Sequence, residues 1–435
     1  MTSTEASRWS RPDLRGVLLV GRGLVGSALS LASATAITSL IGVVYWIVAA
    51  RQFDAVAVGF AGAAISAMTL VATLCTLGLS TYLMGELPRS TSHARTLLSD
   101  ALIVAAFAGA LVAAAYALLA SVLTRELSPL SENPFNVIVF AAGASMTAIG
   151  MVLDQALIGV ARGGVQLVRN VVFALVKLVA LAAVGLVFVD ASGMTIYATW
   201  AGGAALSLLL VGAIARRRPL IVSDPRGKVR FPGPRVLRSL TRAVAGHQAL
   251  NLALRLPLLL LPVLVVSWVS VEANSRFYIN WMVTNVAFVL PGSLATVLYA
   301  AHSADPMALS GKLRLSLKLS SLVTIAVVLL VLLVPELLLS VFGPDYRDGA
   351  TSLRLLTLAG LPLVIKNHFV TVRRAQSQVR RALPLVCGGA VLEIVMSGAG
   401  ASLGGLNGLC AGWTAAIFIE GAVMYPAVRQ AAQRN

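Results

Sequence analysis

The feature that most limits what this chain can become is a succession of apolar runs, each about 20 residues or longer, repeating along nearly its whole length. As a helix, a run of that length crosses about 30 Å of hydrocarbon and satisfies its backbone N–H and C=O groups internally, as lipid requires. The runs lie at about 23–50, 56–84, 98–121, 135–160, a fifth ending near 188, and 193–215. After a polar interruption they resume at about 243–269, 274–300, 313–342, 352–372, 382–404 and 406–428. The expected fold is all-α and integral to a membrane, with about twelve transmembrane helices in two six-helix bundles. Charged residues make up 12% of the chain and mean hydropathy is +0.87, whereas soluble domains carry about a quarter charged residues.

The interruption at 216–242 holds nine Lys or Arg and the single acid Asp224. Such a loop stays on the cytoplasmic side, because Lys and Arg are costly to carry across a bilayer during insertion. It divides the chain into a cytoplasmic tail at 1–22, a first bundle at 23–215, the basic linker at 216–242, a second bundle at 243–428 and a second tail at 429–435. With both termini cytoplasmic, about 26 of the 34 Lys and Arg fall on the inner side and about 5 on the outer. The net charge of +17 is therefore explained by orientation in the bilayer, and no continuous basic groove for nucleic acid is formed. The first apolar run is about a full span long and follows a basic stretch, so it reads as a retained signal anchor.

Nothing in the sequence asks for a cofactor or a metal. Cys75, Cys387 and Cys410 lie in apolar runs without metal-ligand spacing and read as packing residues. Gly21, Gly23 and Gly26 match the G-x-G-x-x-G spacing, but an apolar helix follows where a βαβ unit would be required. The outer loops are short, the longest spanning Thr124–Pro134, which leaves little room for an extracytoplasmic catalytic domain. No enzymatic activity is expected.

Six ionisable residues fall well inside the spans: Asp154, Lys177, Arg255, Lys366, Glu393 and Glu420. Each opposes insertion by about 2.5–3.5 kcal/mol near the centre of a span, so each should face the bundle interior, either paired or lining a wet cavity. On the seventh span His247, Asn251 and Arg255 recur every four residues on one face with Gln248 beside them, and Arg276, Asn280 and Thr284 do so on the eighth. These stripes are expected to line a pore. Lys366 joins them from the tenth span, after Pro362. Two pairings compete with that reading: Asp154 with Lys177, and Glu393 and Glu420 with Lys366. Either set could instead couple an ion. His247 and His368 are expected to be hydrogen-bonded packing groups, and Trp46, Trp200 and Trp268 to anchor helix ends at the membrane surface.

The phrase WIVAARQFDAVAVGFAGAAISAMTLVATLCTLGLSTYLMGELPR, with its Val58-Gly59 pair and its Leu77-Gly78-Leu79 ending, resembles the polysaccharide-export flippases of the multidrug/oligosaccharidyl-lipid/polysaccharide transporter superfamily. The six-plus-six layout extends that resemblance over nearly the whole chain. It implies a V-shaped, MATE-like fold in the cytoplasmic membrane. It also implies movement of a polyprenyl-diphosphate-linked oligosaccharide to the outer leaflet, in concert with polysaccharide polymerase machinery. Arg255 and Lys366 would then meet the diphosphate, and His247, Gln248, Asn251, Asn280 and Thr284 the glycan. The alternative within the superfamily is a MATE-type drug or cation antiporter, which would call for acids in the cavity.

Overall fold

The computed structural model describes residues 38–433, apart from 77–78, 81–82, 84–86, 88–93, 161, 189–191, 218–233, 290 and 296–308. The described residues are helical almost throughout and contain no strand. The first half comprises α1 (38–52), α2 (Ala55–Cys75), α3 (Ala94–Leu123), α4 (Pro134–Gly159), α5 (Gly163–Val187) and α6 (Gly193–Arg217). The second comprises α7 (Pro234–Trp268), α8 (Val271–Ala287), α9 (Leu309–Leu333), the short α10 (Pro335–Ser340), α11 (Ala350–Leu358), α12 (Gly360–Ala375) and α13 (Val379–Gln433). α7 begins inside the expected linker, where Pro234, with φ already helical, occupies the first position. Gly21, Gly23 and Gly26 lie outside the described residues.

Nine stretches among the described residues are long and apolar enough to cross a membrane, against the twelve crossings expected. The difference has physical sources. α1 is described over only 15 residues, and α8 has 17. α13 counts once although its 55 residues would reach about 82 Å if straight, far beyond one bilayer. It is instead a hairpin: Gly404 (φ −151°, ψ 27°) and Gly405 (φ 55°, ψ −136°) leave the helical region and reverse the chain. Gly405 sits at a positive φ that side chains with a Cβ avoid. The two arms then run antiparallel so closely that a Cβ on Gly400 would fall on the carbonyl of Gly408, and one on Gly412 on the carbonyl of Met396. Small residues allow such an approach where lipid supplies no hydrophobic drive to bring helices together.

The lipid-facing surface follows the same physics. α3 turns Ile103, Phe107 and Leu111 outward and buries Ala101, Ala105, Ala113 and Ala117. Bulk faces lipid, and small residues face neighbouring helices. The largest buried cluster joins the two halves, with Val58, Phe60 and Ile65 of α2 meeting Val263, Val266 and Ile279 of α7 and α8.

Asp54 and Ser270 cap the starts of α2 and α8, their side chains accepting from Ala57 N and Ala273 N. These two starts lie together. A Cβ on Gly59 would overlap the carbonyl of Val271, and Asn274 Nδ2 donates to Gly59 O at 2.6 Å. Nearby Arg51 Nε donates to Val341 O at 2.8 Å, and Trp46 packs on Tyr278 with centroids 4.5 Å apart. The halves are thus sealed at the end remote from the basic linker.

Enlarging the glycines of the α13 hairpin should separate its arms. Gly408→Val is expected to lower the thermal midpoint in detergent and the yield of monodisperse protein, by at least the ~1–3 kcal/mol of ordinary overpacking. Gly388→Ala, where a Cβ would meet no atom, should be neutral or stabilising by about 0.5–1 kcal/mol.

Candidate translocation cavity and buried charges

A cavity of about 420 Å³ lies between the halves, toward the linker side of the seal. Ser66 and Thr69 of α2 form one wall, and Arg255 of α7 with Tyr278, Trp281 and Asn285 of α8 form the other. Its lining residues include no acid. Arg255 has no carboxylate within ion-pair distance among the described residues, and its side chain is exposed to open space. Pro257, two residues on, and Pro262 each lack an N–H, which frees carbonyls in this part of α7. Trp281 Nε1 uses one of them, donating to Leu258 O at 3.2 Å and fixing one ring of the cavity wall.

One turn before Arg255 on the same face of α7, Asn251 Oδ1 accepts from Arg374 Nη2 at 2.6 Å. Arg374 therefore brings a second guanidinium from α12 to the polar stripe. Sequence reasoning passed it over because it lies at a helix end, where basic residues are common.

Lys366, expected beside Arg255, lies elsewhere. Its ammonium is buried and held by Glu393 Oε1 at 2.6 Å and Glu420 Oε2 at 2.9 Å, while Trp413 Nε1 donates to Glu393 Oε2 at 2.7 Å. Three helical segments, α12 and both arms of α13, are pinned by this cluster. Gly389 makes the space, since a Cβ there would overlap the Glu420 carboxylate. Lys366 is thus unavailable to a diphosphate, and Glu393 and Glu420 follow the pairing alternative raised by the sequence.

The expected Asp154–Lys177 pair does not form. Asp154 is gripped by Arg169, whose Nε reaches Oδ1 at 2.8 Å and Nη2 reaches Oδ2 at 2.6 Å. Across the tight α4–α5 turn Arg169 lies level with Asp154, whereas Lys177, eight residues further, is about 12 Å deeper. Lys177 is buried among rings instead, 3.2 Å from the Trp200 centroid, 4.7 Å from Phe173 and 4.9 Å from Tyr45. The ring quadrupoles supply the attraction a carboxylate would otherwise give. Trp46, buried, and Trp200, partly buried, belong to this aromatic network, and Trp268 is 41% exposed.

On α8 none of the expected stripe lines the cavity: Arg276 lies partly exposed 4.0 Å from Asp348, and Asn280 and Thr284 face packing. Asn280 is buried and donates through Nδ2 to Gly349 O at 2.8 Å, and Thr284 is buried with its hydroxyl unpartnered. The cavity takes the adjacent face, including Asn285, which donates to Trp281 O at 2.7 Å. Gln248 is half-buried and does not line the cavity, and the side chain of His247 lies outside the described residues. His368 is a packing group, fully buried between Val364 O at 2.8 Å and Ser316 Oγ at 2.9 Å.

Two helical bundles of the same chain, closed at one end over a central polar cavity, define the class: a multi-pass membrane protein of MATE-like fold. A family profile described as polysaccharide biosynthesis protein matches residues 24–242, and the chain belongs to that family. Among solved structures, an inward-facing multidrug resistance MATE transporter of the MOP superfamily superposes with TM-score 0.74 at 14% identity, over 90% of this chain and 94% of that one. A MATE protein in complex with MaL6 gives 0.65 at 14% identity over 94% and 95%. A MOP superfamily transporter from Pyrococcus furiosus, for which reverse polarity of the binding pocket is taken to suggest a different function, gives 0.66 at 15% over 95% and 96%. Identities this low establish the fold alone. No curated protein matches the chain in sequence.

The buried triad gives a sharp test. Lys366→Met strands two carboxylates and should cost about 3–5 kcal/mol, seen as a lower unfolding midpoint in detergent. Combining it with Glu393→Gln and Glu420→Gln should recover most of that loss. An unchanged midpoint in the single variant would mean that the cluster does not hold these helices.

Proposed function

We propose that this protein is a flippase that carries a polyprenyl-diphosphate-linked oligosaccharide from the cytoplasmic to the outer leaflet of the cell's cytoplasmic membrane. The observation that carries the reading is Arg255, a cation without a carboxylate partner among the described residues, in a cavity whose lining contains no acid. Guanidinium presents paired donors to phosphate oxygens, and a low-dielectric wall strengthens each contact. Ser66, Thr69 and Asn285 offer neutral donors and acceptors to sugar hydroxyls, while Tyr278 and Trp281 offer ring faces. The lipid tail can remain in the bilayer. Membership of the polysaccharide biosynthesis family supports the same cargo class.

The cycle proposed is alternating access. Opening toward the linker side admits the head group from the cytoplasmic leaflet, and breaking the α2–α8 seal releases it outside. Export would feed the polymerase machinery of surface glycan assembly. A drug or cation antiporter shares this architecture, but a cationic cargo would meet Arg255 where it needs an acid.

Arg255→Ala, with membrane insertion verified, should reduce surface glycan export and accumulate the lipid-linked precursor inside. Loss of one charge-assisted contact of about 1.5–3 kcal/mol corresponds to roughly a 10- to 150-fold fall in transport. Arg255→Lys should restore part of it, because the charge returns without the fork. Undiminished export by Arg255→Ala would remove the cavity from the mechanism, and gradient-driven dye efflux would favour the antiporter.

A further inference from the structure

A second basic site lies apart from the cavity, at the α12–α13 turn. α12 ends in Arg373 and Arg374, and the chain reverses through Ser377 at φ 55°, with Ser377 N bonded to Arg374 O at 3.0 Å and Gln378 N to Arg373 O at 2.8 Å. These two hydrogen bonds close the helix end and start α13 immediately. Arg381, in the first turn of α13, thereby comes to share a pocket of about 180 Å³ with Arg373. Gln376 and Gln378 of the turn and Gln430, from the far end of the returning arm, complete its polar lining, with small alanines behind.

Three observations give this pocket a chemistry. Its lining contains two guanidinium groups and three carboxamides but no acid, and neither arginine pairs with a carboxylate among the described residues. Arg373 is also held in place: it donates to Gln378 Oε1, its guanidinium lies 5.2 Å from the Phe369 centroid, and its Nε is buried without a hydrogen-bond partner. Two guanidinium groups that line one pocket repel each other less when an anion is shared between them. The site also stands at the linker end of the second half, where Gly246 near the start of α7 approaches Val379. By the distribution of basic loops, this end meets the cytoplasmic leaflet.

We propose that Arg373, Arg381 and Gln430 form a binding site for a phosphate-bearing anion, supplied either by a phospholipid head group of the cytoplasmic leaflet or by soluble phosphate. Planar guanidinium forks match phosphate oxygens, and the carboxamides add neutral donors. Basic pockets at the cytoplasmic ends of membrane helices take anionic head groups by the same physics. The site is independent of the transported cargo. Adjacent residues on a helix diverge by about 100°, so Arg374 points to Asn251 on α7 while Arg373 serves this pocket.

The test uses the purified full chain. In one arm it is reconstituted in phosphatidylcholine nanodiscs with and without phosphatidylglycerol, and retained lipid is counted by native mass spectrometry. In the other, inorganic phosphate is titrated against the protein in phosphatidylcholine alone, followed by thermal midpoint. Wild type should prefer phosphatidylglycerol by about tenfold or more, or respond saturably to phosphate, and Arg373→Gln/Arg381→Gln should lose whichever response is seen. Arg381→Gln alone and Gln430→Glu leave the Arg373 contacts intact and read the same effect if the double variant fails to fold. Retention in the first arm alone identifies a lipid site, and a response in the second a soluble anion. Equal behaviour of wild type and variants in both arms, or no response from wild type, would overturn the proposal.

Discussion

The spanning region is governed by one constraint: lipid offers an ionised side chain no partner, so the protein must provide one or a path to water. The chain answers in four ways. Lys366 is enclosed by two carboxylates, Asp154 by a two-pronged arginine, and Lys177 by three aromatic rings. Arg255 has none of these enclosures and opens on the cavity. The first three arrangements surround the charges they contain with partners and join helices within one half. Arg255 is the remainder, and a cation left open at this depth is costly unless water or a mobile anion reaches it. That asymmetry, more than the number of intramembrane charges, directs attention to the cavity.

The seal between the halves has a different character. Gly59 lets α2 and α8 touch backbone to backbone, and the polar links across the junction among the described residues include Asn274 to Gly59 O, Arg51 to Val341 O and Ser66 to Tyr278. The rest is apolar packing around Val58, Phe60 and Ile279. Packing of this kind re-forms readily after sliding, because it is non-directional, and none of these polar links is a buried ion pair. The strong, directional contacts lie inside each half and the weaker ones between halves. Such a division lets two rigid bodies move against each other without melting either.

Much of the fold was legible in the sequence because its determinants are local. Apolar length and the break at the basic linker predicted the positions of α3 to α6 closely, and hydropathy needs no tertiary information to act. The hairpin of α13 shows the limit: Gly404 and Gly405 mark the reversal, but nothing local reveals that Gly400 and Gly412 will be pressed against backbone. The site was legible in part. Arg255 lines the cavity as helical spacing suggested, whereas Asn251, one turn earlier on the same face, is not among the lining residues and holds Arg374 instead. Lys366 and Lys177 were misplaced because a buried lysine can be satisfied by a carboxylate, by water or by rings, and only the neighbouring helices decide which. On α8 two polar faces adjoin, one ending in Asn280 and one in Asn285, and periodicity cannot tell the packed face from the wet one.

The division of labour across the cavity bears on how a charged head group could be released. The cation lining the cavity, Arg255 on α7, belongs to the second half, and one turn earlier Asn251 ties α7 to α12 through Arg374. The first half contributes the hydroxyls of Ser66 and Thr69 and no charge. In the proposed cycle an anionic group would therefore stay with one body while the other swings past it, exchanging only neutral contacts. A neutral hydrogen bond has a net worth of about 0.5–1.5 kcal/mol, against about 1.5–3 for one to a charge. Had cations been shared between the halves, each opening would have had to separate a bridged ion, and a tightly bound diphosphate would have acted as a clamp across the cleft.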